Sequence, residues 1–171
     1  SLLPSNRSTR ETTLPSVSSL RALRKLAKRA KASRPFLGIG DPKLEGKTGS
    51  ERGIKVASLF TPRGMADVET VRGLPSLPDT ADELRALAKT LDAEESALIM
   101  GSKATEAWVK QAPLSDFRVI TFATHGLIAG DIKGVVEPAL VLTPPAKGSE
   151  QDDGLLTASE VAQLKLDADW V

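Results

Sequence analysis

The sequence predicts an α/β fold built on a mainly parallel central sheet. Two patterns lead there. Strand-like apolar runs alternate along the chain with stretches of helical periodicity. The best run, Arg118-Val119-Ile120-Thr121-Phe122-Ala123, is almost continuously apolar or β-branched, as a strand covered on both faces must be. At 171 residues, 40% of them hydrophobic, the chain suits one domain with a real core.

Each element follows in order. Residues 1–15 are polar, with two prolines, and read as a loop or an insertion. A helix is expected from Val17 to about Ala32, with Val17, Leu20, Leu23, Ala27 and Ala30 at helical spacing. Its last turn is crowded with Lys and Arg, which suits the helix dipole. Pro35-Phe36-Leu37-Gly38-Ile39-Gly40 reads as a buried strand ended by Asp41-Pro42. Glycines, prolines and mixed charge make 43–76 a long loop, with one strand at 56–60. Thr80 and Glu83 form a capping-box pair that opens a second helix with the stripe Leu84, Leu87, Ala88 and Leu91. Strand 97–100 and helix 103–111 precede the strand at 118–123. A further strand at 137–142 is closed by Pro144-Pro145. Thr157 and Glu160 cap a fourth helix, and 168–171 opens another strand.

Composition excludes several chemistries. There is no cysteine, so disulfides, thiolate metal sites and an internal cysteine nucleophile are ruled out. The single histidine, His125, has no carboxylate spacing around it that suggests a metal, and no metal or cofactor is expected. Residues 1–34 carry nine Lys/Arg against one Glu, while the remainder balances at −7. A basic helix lying on an acidic body accounts for this. No aromatic residues interleave its Lys and Arg, so no nucleic-acid contact is expected. No apolar run approaches the ~20 residues that span a bilayer. The start lacks a charged leader, so no membrane contact and a cytoplasmic location are expected.

Two places invite a functional reading. Gly38-Ile39-Gly40-Asp41 follows a strand, but the third glycine of a dinucleotide fingerprint falls on Lys43 and no helix opens there. A strand-ending turn explains those glycines. His125 is the stronger candidate. It stands at the carboxyl end of the best strand, where open α/β sheets gather functional groups. Gly126 follows it, leaving room for a substrate carbonyl and an N–H for a developing oxyanion.

Phe122-Ala123-Thr124-His125-Gly126 resembles the histidine motif of CHAT domains, which group with caspases and separase among caspase-like cysteine peptidases. The resemblance continues in order through Leu14-Pro15-Ser16-Val17, Phe36 to Pro42, and Leu74 to Leu84. It also takes in Gly101-Ser102-Lys103-Ala104-Thr105-Glu106, Pro138 to Leu142, and Asp153 to Val161. It covers about Leu14 to Val171. What it implies is a caspase-like three-layer α/β/α sandwich, here a single partial domain over 1–171, incomplete at both ends. It also implies a Cys-His dyad that cuts protein or peptide substrates, with His125 and Gly126 as catalytic groups. Caspase-like spacing puts the cysteine roughly 50 residues after the histidine, about five positions past Val171, so the chain alone is expected to be inactive. Asp131, in the loop after the histidine, would line the substrate pocket and favour a basic side chain; a solvated loop carboxylate is the competing reading. The remainder of the parent chain, with helical repeats, is an expected partner. A trimmed sheet leaves an edge through which a dimer would form. The competing function is a non-catalytic scaffold or regulatory module.

Overall fold

The computed structural model describes residues 32–47, 59–60, 65–128 and 137–171. The loop expected at 1–15 and the basic helix expected from Val17 lie outside the described residues.

The central sheet forms around β1 (Arg34–Pro42), which lies between β2 (Leu98–Gly101) and β3 (Phe117–Ala123). Both pairings are parallel, and Ile39 stands opposite Ile99 on one side and Phe122 on the other. Parallel neighbours need crossovers. These are supplied by α2 (Asp79–Thr90), between β1 and β2, and α3 (Glu106–Gln111), between β2 and β3; the shorter α1 (Val68–Arg72) precedes α2.

Side chains of β1 alternate between the two faces of the sheet. Phe36 packs with Leu84 and Ala88 of α2, and with Leu98 and Ala123. Leu37 and Ile39 face the other way, onto Val109 of α3, Ile120, Leu142 and Leu156. Helices thus cover both faces, and the fold is the α/β arrangement expected. Gly38 and Gly40 lie inside β1, within the run expected as strand, and face α2; packing against that helix, rather than a strand-ending turn, accounts for them. A Cβ on Gly40 would come 2.4 Å from the Ala123 carbonyl oxygen and 2.9 Å from Leu84 Cδ1. Their missing side chains let Leu84, fully buried, sit down on the sheet. The pairing with β2 slips between Gly40 and Pro42, where Asp41 takes φ 44, and the bulge ends the strand.

The strand expected at 137–142 exists as β5 (Ala139–Val141) but belongs to a second sheet. It pairs antiparallel with β4 (Gly126–Leu127) and β6 (Leu155–Thr157), in the order β4-β5-β6. A separate core joins this sheet to the segment read as a long loop: Leu44, Leu59, Ala66, Val71 and Leu74 pack with Leu127, Val141 and Leu155.

That segment holds more structure than its glycines and prolines suggested. Asp67 starts α1 by accepting from the backbone N–H of Thr70 at 2.8 Å. The Thr70 hydroxyl and N–H hold the Asp67 carboxyl below its usual range. Of the strand expected at 56–60, only Leu59 and Phe60 are described, and Phe60 bridges to Ala66.

The capping box expected at Thr80 and Glu83 is not formed. Pro78, with φ −60, already has helical geometry, so α2 starts at Asp79 and the Thr80 hydroxyl turns back to donate to the Leu77 carbonyl at 2.7 Å. Helix α3 starts later than expected, because the Thr105 side chain caps it by accepting from the Trp108 N–H at 3.1 Å. The box at Thr157 does form and opens α4 (Ala158–Val161), with Glu160 accepting from the Thr157 N–H at 2.9 Å. At the far edge of β3, Trp170 makes a parallel bridge to Val119, and the Ile120 N–H donates to its carbonyl at 3.0 Å. Among the described residues no helix is long and apolar enough to cross a membrane.

Candidate functional site

Strand β3 delivers the chain to His125. Its pairing with β1 stops at Ala123, and the next residues are pinned to β5 instead. The Thr124 hydroxyl donates to the Val141 carbonyl, and the Val141 N–H donates to the His125 carbonyl at 2.9 Å. Gly126 then pairs with Leu140. The histidine therefore sits where the parallel sheet ends and the antiparallel sheet begins, with its backbone fixed on both sides.

Among the described residues, the half-buried imidazole has one hydrogen-bond partner. Its Nε2 lies 2.7 Å from the carbonyl oxygen of Pro75. A carbonyl can only accept, so Nε2 carries the hydrogen. The neutral ring then presents a bare Nδ1, the nitrogen able to take a proton.

The Pro75 carbonyl is itself held by a short two-strand contact. Glu45 N–H donates to Arg72 O at 2.8 Å, Gly46 N–H to Leu74 O at 3.0 Å, and Ser76 N–H to Gly46 O at 3.2 Å. Leu74 is buried between them, and Arg72 Nη2 donates to the Pro145 carbonyl at 2.7 Å. Gly126 is exposed, and among the described residues nothing lies within 4 Å of where its Cβ would be. Asp131 lies outside the described residues.

A second polar cluster lies behind the small sheet. Glu106, the first residue of α3, is 1% exposed. Its Oε2 accepts from the N–H groups of Asp153 and Gly154 at 2.9 and 3.1 Å, and Lys110 bonds its Oε1 at 2.5 Å. Lys110 also reaches Glu160 of α4 at 2.7 Å and the Gln151 carbonyl at 2.8 Å. Burial pushes the Glu106 carboxyl up to about 7, against the pull of Lys110 and the Asp153 N–H. Burial would lower the Lys110 ammonium, but Glu106 and Glu160 outweigh it and hold it above the usual lysine range. The cluster clamps the turn that leads into β6.

Neither Pro75 nor Glu106 was assigned a role from the sequence. The first acts through a backbone oxygen, which no side-chain pattern reveals. The second stood in the Gly-x-x-Ala-Thr-Glu run at the helix start; a carboxylate directly after a capping threonine was the available signal.

A family model described as CHAT domain matches residues 6–171. No curated protein and no solved structure matches the chain.

Proposed function

The chain belongs to the CHAT domain family, and from that premise we propose that it is the histidine-bearing part of a caspase-like cysteine endopeptidase. The observation that carries this reading is the bond from His125 Nε2–H to the Pro75 carbonyl. It fixes the tautomer, orients the ring and leaves Nδ1 bare, which is what a general base for a thiol requires.

The nucleophile would come from chain following Val171. Trp170 stands opposite Val119 in parallel register, and His125 lies six residues beyond Val119. A strand continuing in that register comes level with His125 six residues beyond Trp170, in agreement with caspase-like spacing. There Nδ1 takes the thiol proton and the thiolate attacks the scissile carbonyl. The Gly126 N–H donates to the resulting oxyanion. The tetrahedral adduct collapses to a thioester as the imidazolium gives its proton to the leaving amine. Water, deprotonated by Nδ1, then releases the acid and restores the thiol. The substrate class is protein or peptide, and the chemistry needs no organic cofactor.

A second reading, a non-catalytic scaffold or regulatory module, is favoured by one fact: none of the 171 residues is a cysteine. Hydrolysis of a fluorogenic peptide library, with and without the segment that follows Val171 in the parent gene, separates the two. Turnover is expected only with that segment, and only while His125 is intact. Turnover by the 171 residues alone, or a residue other than cysteine at the expected place, would sink the peptidase reading.

A further inference from the structure

We propose that Gly46 is a positioning residue for His125: having no side chain, it lets residues 45–47 lie close enough to 72–76 to hold the Pro75 carbonyl on the imidazole Nε2. Its catalytic meaning rests on the role proposed above for His125. The tautomer it fixes can be measured without any reaction.

Gly46 bridges Pro75 in parallel. A Cβ built on it would lie 2.4 Å from the Gly73 carbonyl oxygen, 2.5 Å from the Leu74 oxygen and 2.6 Å from the Leu74 carbonyl carbon. All three atoms are backbone, so none can rotate aside as a side chain would. Relief must come by moving one segment off the other. Leu44 and Leu74 anchor the two segments in the same buried cluster, which limits where they can go. The bonds at stake are Gly46 N–H to Leu74 O and Ser76 N–H to Gly46 O, on either side of Pro75. Once these loosen, the carbonyl that selects the Nε2–H tautomer is displaced. The ring is then free to hydrogen-bond otherwise, and Nδ1 is no longer reserved for the thiol.

The chain has one histidine, so ¹⁵N-labelled imidazole gives a single pair of ring resonances that need no assignment to a site. In alkaline buffer, where an imidazole is neutral, the unaltered protein is expected to show a protonated Nε2 and a bare Nδ1. In Gly46→Ala the two resonances should draw together as the tautomers mix. Gly38→Ala is the control for general loosening, because its Cβ would meet Leu98 Cδ2 at 2.8 Å, inside the parallel sheet. It should lower Tm and leave the tautomer alone. Should Gly46→Ala fail to fold, Ser76→Pro removes the N–H that bonds Gly46 O, its ring also restricting the Pro75 backbone, and should also shift the tautomer. An unchanged tautomer in every Gly46 and Ser76 variant that folds overturns the proposal; so does an equal shift in Gly38→Ala. If the tautomer responds as expected but the extended chain cleaves nothing, the peptidase reading falls and the hydrogen-bond assignment stands.

Discussion

On one side of His125 the chain has just left the parallel sheet β2-β1-β3; on the other it enters the antiparallel sheet β4-β5-β6. The parallel sheet is held by apolar packing. Its nine-residue central strand is covered on one face by α2 and on the other by α3 and Leu142. The antiparallel strands are only two or three residues long, too short for their own ladders to hold them. Side-chain bonds to backbone do much of that work. Glu106 holds the turn before β6. Asp153 accepts from the Ala66 N–H at 2.6 Å, and Thr143 accepts from Lys43 N–H at 2.9 Å while donating to Gly101 O at 2.7 Å. A histidine placed between the two rests on a rigid floor and a tethered wall.

Substitutions can break the two regions separately. The largest loss is expected in the parallel sheet. Leu84→Ala removes a fully buried side chain over Gly38 and Gly40 and should cost about 3 to 4 kcal/mol in urea unfolding. A loss under ~1 kcal/mol would mean that α2 does not carry the sheet's packing. Next comes the tethered wall. Glu106→Ala strands two backbone N–H groups and takes one of the two carboxylates that Lys110 bonds, and should cost about 3 kcal/mol. Amide exchange at Asp153 and Gly154 should speed up well before that at Ile39; equal acceleration at both would erase the contrast.

The same carboxyl supplies a pH signature. Folding raises Glu106 from 4.5 to about 7, so the folded state holds its proton more tightly than the unfolded chain does. Its stabilising contribution is complete below about 4.5 and is lost as pH rises through about 7. The stability difference between the unaltered protein and Glu106→Gln, followed from pH 4 to pH 8, should therefore move in that direction. A flat difference would remove Glu106 as the source. A smaller effect, about 1 kcal/mol, is expected for Thr157→Ala, which takes the hydroxyl from the capping box of α4. Smallest is Arg85→Ala. Its pair with Asp82 is solvent-exposed on both sides and should change stability by less than ~0.5 kcal/mol.

How far the sequence could be read follows the same division. Strand β3 and helix α2 were legible because burial on two faces, or on one stripe, writes itself into apolar periodicity. The site was half legible. His125 stood out as the one histidine, at the end of the strongest strand, but its partner is a backbone oxygen 50 residues earlier in the chain. Helix α1 has five residues between loops and leaves no period to detect; only Asp67 and Thr70 signalled it. Glu106 reads as a surface acid in a helix start, because nothing local says that Lys110 and two amides will close over it. Gly38 and Gly40 were rightly placed in a strand, but the reason for them is Leu84, far along the chain.

The order of the parallel sheet also has a consequence in time. β1 is its central strand and the first of the three to be synthesised. Leu98 and its neighbours must follow before one edge is covered, and Phe117 to Ala123 before the other. Until then Phe36, Leu37 and Ile39 have no sheet to join, and pairings this distant in sequence close slowly. Such a segment invites association between unfinished chains. Its flanks are suited to prevent it: Arg34 and Pro35 stand at one end and Asp41 and Pro42 at the other, charges and prolines that oppose strand addition. Residues that mark the strand boundaries in the finished fold are thus of the kind that oppose association while a core strand waits for its partners.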